Sequence, residues 1–155
     1  MKRVVRPPFC RSGSVMSLLP RKGILIITAV VDIAINARNR PVAAKALAAR
    51  HRLPPRHLEP VLQALVREGI LKGVRGPRGG YELAREQRRI TADDILRAAG
   101  TVEDDGDPWV SGSPLLNQVV APALAQAEAT FSNALARISI EDLTRSAVAM
   151  RKAGE

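Results

Sequence analysis

Leu58, Val61, Leu62, Leu65 and Val66 recur at spacings of three and four residues, the period of a helix with a single apolar stripe. A glycine-rich stretch follows, from Ile70 to Arg85 (ILKGVRGPRGGYELAR), in which two short extended segments flank Pro-Arg-Gly-Gly. Such a helix must bury its stripe, and a hairpin this short is not stable alone. The two therefore have to share one core. Gly69 is placed to end the helix. The face opposite the stripe carries Arg56, His57, Glu59, Gln63 and Arg67.

Within the hairpin, Gly76 and Pro77 are read as setting the turn. Gly79 and Gly80 are read as adopting backbone angles closed to other residues. Tyr81 and Leu83 lie two apart and would pin the returning strand to the core. Basic, glycine-rich loops also cradle nucleotide phosphates. GPRGGY, however, lacks the Gly-Lys-Ser/Thr ending and the following helix of that motif.

Upstream, an apolar segment predicts a first helix from Pro20 to about Ala37. Ile24, Ile27, Val31 and Ile35 share a face, and enough other aliphatics surround them to make the helix central and mostly buried. A short alanine-rich helix is expected from Val42 to about Arg50, and HRLPPR then interrupts the pattern. Downstream, ITADDIL is a strong helix start, with Thr91 capping, Asp94 answering it and Ile90 stapling onto Ile95. Ser113 and Pro114 open a long helix whose Leu116, Val120, Ala123, Ala127, Phe131, Ala134 and Ile138 form a seam for a partner helix. It would be about 37 Å long, too long for a small domain to cover, with Pro122 placed to kink it. Ser139 and Asp142 offer a further cap before a short last helix.

Aromatics are only 3% of the chain, so Leu, Ile, Val and Ala must build the core, which suits helix-on-helix packing. The net charge of +9 is unevenly spread. Arg38 to Arg89 holds thirteen Lys/Arg against four Glu, whereas Ile90 to the end holds five basic and ten acidic residues. A basic region of this kind attracts polyanions. The only cysteine, Cys10, excludes an internal disulfide framework and a multi-thiolate metal site. The basic start followed by Ile24 to Val31 has the layout of a signal peptide, but Asp32 follows at once and the apolar pattern continues without a boundary. The run is too short to span a membrane. A cytoplasmic protein is expected.

Helix, turn, helix, then hairpin is the order of a winged helix-turn-helix. The fold class expected is therefore mainly α, with a two-stranded β-hairpin wing and a long C-terminal dimerisation helix. Residues 1–15 read as a disordered basic extension, 16–100 as the DNA-binding domain, 101–113 as an acidic sensor-type loop, and 114–155 as the dimerisation helix and tail. Arg56, His57, Glu59 and Gln63 would enter a major groove. Arg75 and Arg78 at the wing would reach phosphates or the minor groove, and Lys72 joins them as a DNA-binding candidate. Alternatives are a degenerate winged helix that binds protein, and an RNA-binding accessory protein. The lack of paired aromatics argues against single-strand recognition.

The spacing LE…L..L…GI…RGPRGGY.LAR, between His57 and Arg85, resembles the Rrf-two family of bacterial transcriptional regulators, which includes the iron–sulfur cluster regulator. The resemblance covers Leu18 to Gly100 and, more loosely, the chain to about Ala147. It implies a cytosolic homodimer whose long helix crosses its twin, and a palindromic operator read by the third helix and the wing. It also matches Arg56, His57, Glu59 and the wing residue Arg75 to DNA-contacting positions, and a repressor responding to an unidentified small-molecule or redox effector is expected.

Two positions depart from the family. Pro60 stands where many relatives carry a polar base-reading residue, and is read as fixing the start of the helix instead. Cluster-binding relatives carry three cysteines in the sensing loop, whereas Gly100 to Ser113 has none, so no iron–sulfur cofactor is expected. The acidic group Glu103, Asp104, Asp105 and Asp107 lacks calcium-loop spacing. Trp109 is the candidate effector-loop residue, with packing against the dimer helix as the simpler role. His51 and His57 flank a helix break without thiol partners, which does not suggest a metal site. No catalytic arrangement stands out, and no enzyme activity is expected.

Overall fold

Helix α1 (Arg21–Asn36) lies at the centre of the fold, packed against α2 (Ala44–His51), α4 (Ala92–Gly100), α6 (Ile140–Ala153) and the second hairpin strand. The computed structural model describes residues 21–100 and 114–154. The basic extension and the acidic loop with Trp109 lie outside the described residues. Ile26, Ala29, Val30, Ile33 and Ala34 form the buried face of α1, whereas Ile24 is exposed and Ile27, Val31 and Ile35 are half-buried. The expected face is thus rotated by a residue or two. A helix apolar nearly all round has no unique face in its periodicity, and its neighbours choose one.

Asp32 is the polar exception on that helix, only 8% exposed. It accepts a hydrogen bond from Asn36 Nδ2 at 2.8 Å and pairs with Arg50 Nη2 at 3.1 Å and His51 Nε2 at 2.7 Å. A buried carboxylate needs such partners, and these fasten α1 to the end of α2. Val42 does not begin α2 as the sequence pattern suggested. It makes an antiparallel bridge with Tyr81, donating to the Tyr81 carbonyl at 2.9 Å and accepting from its N–H at 2.8 Å. Two sheet bonds outweigh two more residues of helix.

Arg52 takes a left-handed conformation (φ 52°) to close α2, and α3 (Pro55–Arg67) begins after Pro54. Pro55 suits a first turn, where an N–H would have no partner. Pro60 sits within α3, one turn beyond its start, so its expected role belongs to Pro54 and Pro55. It withholds the N–H that would bond the Arg56 carbonyl, and the loss falls on the exposed side of the helix. Leu58, Val61, Leu62, Ala64 and Leu65 are buried, as the periodicity requires. Gly69, at φ 69°, ends the turn, and Ile70 donates back to the Leu65 carbonyl.

Strands β1 (Leu71–Val74) and β2 (Gly80–Leu83) pair antiparallel, with Leu71 opposite Leu83 and Val74 opposite Gly80. Tyr81 and Leu83 pack on the core as expected. A three-residue 3-10 turn (Gln87–Arg89) leads to α4. There Thr91 and Asp94 form the expected reciprocal cap: Asp94 N–H donates to Thr91 Oγ1 at 3.2 Å, and Thr91 N–H to Asp94 Oδ2 at 3.1 Å. Ile90 and Ile95 are fully buried.

From Pro114 the chain is helical through a π-helical segment (Leu116–Val120) into α5 (Ala121–Ala136). The wide turn comes directly before Pro122, so the helix absorbs the missing donor by widening locally. Of the expected seam, Val120, Ala123, Ala127, Ala134 and Ile138 are exposed and Phe131 is half-buried. Leu115, Val119 and Leu124 are exposed as well, at 65%, 59% and 62%, while Leu135 is buried near the other end. There α5 meets α4, and Ser132 donates to Asp93 Oδ1 and accepts from Arg97. The chain then rejoins the body beside Thr91. Ala92 N–H donates to the Ile138 carbonyl at 2.9 Å, and Ile140 N–H to that of Ile90 at 2.8 Å. Ser139 caps α6 by accepting from the Asp142 N–H at 3.1 Å.

Candidate nucleic-acid interface

Burial of one face of α3 leaves Arg56, His57, Glu59, Pro60, Gln63 and Arg67 exposed. Arg56, Pro60, Gln63 and Arg67 are three or four residues apart and share one strip, with Glu59 at its margin. Arg56 Nε donates to His57 Nε2 at 3.3 Å. Among the described residues, Arg56, Glu59 and Arg67 form no ion pair, so their charged groups remain available to a partner.

The wing tip is a tight turn in which the Gly79 N–H donates to the Gly76 carbonyl at 2.9 Å around Pro77 and Arg78. Proline's fixed φ suits the first central position of such a turn. Gly76 has φ 117°, a conformation that favours glycine. Gly79 and Gly80 are glycines for a different reason from the one expected, since neither has a positive φ. A Cβ on Gly79 would overlap the Val74 carbonyl oxygen, and one on Gly80 the Val42 carbonyl oxygen. Close backbone approach, not an unusual angle, demands glycine at both.

Arg75 and Arg78 are exposed on this turn and have no carboxylate partner among the described residues. Lys72 differs, because it pairs across the strands with Glu82 at 3.4 Å. Its charge is partly offset where those of Arg75 and Arg78 are not. At the base of the wing, Glu86 accepts from Arg88 Nε at 2.6 Å and lies 3.9 Å from Arg89. The Arg88 hydrogen bond and charge hold the Glu86 carboxyl below its ordinary pKa.

Three features escape a reading of the sequence alone. Gln63 Nε2 donates to the Tyr81 hydroxyl at 3.2 Å, joining the exposed face of α3 to the wing. Arg85 donates from Nε to the Gly69 carbonyl at 2.8 Å and from Nη2 to that of Glu68 at 2.9 Å. A cation is favourable at a helix C-terminus, so Arg85 anchors the wing's return to the end of α3. His51, a metal-ligating residue by type, is committed to Asp32. No periodicity encodes these pairings, whose partners lie sixteen to nineteen residues apart.

A cavity of about 180 Å³ lies between α3, the wing's return and α4, lined by Glu68, Ile70, Arg85, Asp94, Arg97 and Ala98. Arg85, Asp94 and Arg97 already serve the α3 end, the Thr91 cap and Asp93. Among the described residues no group of three or more His, Cys, Asp or Glu is placed to hold a metal ion. None of the described helices is long and apolar enough to cross a membrane.

A family model described as Rrf2, iron-dependent transcriptional regulator, matches residues 19–146. A Haemophilus influenzae protein whose HTH-type transcriptional regulator name is itself an inference is 38% identical over 80 residues, 52% of this chain and 53% of that one. A similarly named Neisseria meningitidis serogroup A protein is 36% identical over 106 residues, covering 68% of this chain and 70% of its own length. The chain thus spans about half of the first relative and over two thirds of the second. Among solved structures, T. potens IscR superposes with a TM-score of 0.63 at 28% identity, over 83% of this chain and 87% of that one.

Proposed function

Because the chain belongs to the Rrf2 family of transcriptional regulators, we propose that it binds duplex DNA in the bacterial cytoplasm as a homodimeric repressor of a palindromic operator. The observation that carries this reading is the pairing of two exposed basic elements on one scaffold. The α3 strip with Arg56 and Glu59 is tied through Gln63 and Tyr81 to a wing that carries Arg75 and Arg78. A helix of this kind fits a major groove, and the wing arginines fit the flanking backbone or minor groove. The exposed Leu115, Val119 and Leu124 support a second copy as the other half of the dimer.

The family description names iron. The donor set does not fit an iron–sulfur cluster. Cys10 is the sole thiol, none lies between Gly100 and Ser113, His51 is held by Asp32, and His57 Nε2 accepts from Arg56. We therefore assign the effector role to another small molecule or oxidant, with the segment bearing Trp109 as its candidate site.

Binding of the full chain to its selected duplex, measured across a salt series, tests the central reading. Affinity should fall steeply with salt, and Arg75→Ala with Arg78→Ala should lower the logarithmic slope by about one for each phosphate left without its arginine. A flat salt series would overturn the basic-interface argument. Sedimentation tests the dimer, since Leu124→Glu should yield monomers. Transcription in vitro tests repression, and a rise in transcript on adding the protein would overturn it.

A further inference from the structure

Gln63 and Tyr81 make the one side-chain hydrogen bond between the exposed strip of α3 and the wing among the described residues. Tyr81 is a firm post for it. Its backbone is bonded in both directions to Val42, and its ring packs against the core. Gln63, by contrast, is exposed, and its side chain makes no other hydrogen bond among the described residues. An exposed glutamine normally samples many rotamers; this one is held at the corner where helix and wing meet.

A carboxamide has two N–H donors and an acceptor oxygen. Tyr81 takes one N–H. With the N–H anti to the carbonyl given to Tyr81, the second N–H and Oε1 lie side by side on the free edge of the amide, a donor beside an acceptor. In a major groove that edge complements adenine, whose N7 accepts and whose N6 amino group donates. Nothing else on the strip offers this combination. Arg56 and Arg67 only donate, the Glu59 carboxylate only accepts, and the Pro60 ring does neither.

We propose that Gln63, positioned by Tyr81, reads an adenine in the major groove and so sets one base of the operator. This rests on the DNA-binding function proposed above. Gln63 is the residue that touches the base, and Tyr81 acts through it.

The test is selection of duplexes from a randomised pool by the full chain, by Gln63→Ala, Gln63→Glu and Tyr81→Phe, and by the double variant Gln63→Ala with Tyr81→Phe. The wild type should enrich a motif with an adenine that Gln63→Ala no longer prefers. The loss should be about tenfold in discrimination at that base pair, with the other positions kept. Gln63→Glu, which can only accept, should move the preference toward cytosine, whose N4 amino group donates. Tyr81→Phe keeps the ring and should weaken preference at the same base pair, but add nothing in the Gln63→Ala background. An unchanged motif in Gln63→Ala overturns the proposal. An equal Tyr81→Phe effect with and without Gln63 overturns the positioning role. A wild type that enriches no motif overturns the DNA-reading function as well.

Discussion

Helices α3 and α5 both carry aliphatic residues at helical spacing, yet they end in opposite situations. Five residues of α3 are buried by the chain itself, and its exposed side is polar. Among the described side chains of α5 only Leu135 is buried, while Leu124 and, in the preceding π-helical segment, Val119 stand in solvent. The same local signal therefore has two meanings. In α3 the apolar stripe is the inner surface of a core, and the function lies on the other face. In α5 the apolar residues are themselves the outward surface, which is where a second copy would sit.

The sharpest way to break this contrast is a matched pair of truncations. Leu62 is fully buried, so Leu62→Ala should cost about 2–5 kcal/mol in urea unfolding. Leu124→Ala should stay within about 0.5 kcal/mol in dilute monomer, with a cost that appears only as protein concentration rises. Equal, concentration-independent losses would mean that the chain covers both faces.

The hairpin offers a smaller matched pair within the body. Gly80→Ala drives a Cβ into the Val42 carbonyl and should cost about 1–3 kcal/mol by forcing the bridge apart. Gly73 lies in open space on the paired strand, and Gly73→Ala should leave the unfolding midpoint in place. If both are silent, the Val42 bridge is not what holds the wing.

Legibility in the sequence follows the same division. The stripe of α3, the hairpin, the cap at Thr91 and Asp94 and the cap at Ser139 can all be read directly, because each depends on residues within a few positions of one another. The buried face of α1 cannot, since its aliphatics surround the axis and only packing selects among them. Pro60 misleads because proline most often marks a helix start, and here Pro54 and Pro55 already fill that role. At Gly79 and Gly80 the pattern picks out the right residues for the wrong cause, since the constraint is a carbonyl approaching each Cα rather than a backbone angle. Of the interface, Arg56, Glu59, Arg75 and Arg78 are exposed as the pattern suggests. The pairing of Gln63 with Tyr81 and of Lys72 with Glu82 needs the tertiary fold.

Thr91 and Ser139 form a bridge where α5 returns to the body, and each caps the helix that follows it. Thr91→Ala and Ser139→Ala should each cost about 1 kcal/mol. Because the caps adjoin, the double variant should depart from additivity by about 0.5 kcal/mol or more. Strict additivity in chemical denaturation would show that α4 and α6 are held independently, and that α5 is joined to the body less firmly than the bridge implies.

The smallest effect is expected at Glu86, in the 3-10 approach to α4 where α6 also packs. The hydrogen bond and charge of Arg88, with Arg89 farther off, hold its carboxyl below the ordinary value, so the folded chain releases this proton more readily than the unfolded one. The resulting stabilisation is complete above the ordinary carboxylate pKa and is lost as pH falls through the lowered value. Both partners are exposed, so the contribution is small and weakens with salt. Glu86→Gln removes it, and the wild type should therefore exceed the variant slightly at neutral pH, with the difference vanishing in acid. A difference that persisted unchanged into acid would show that the carboxylate charge is not its source.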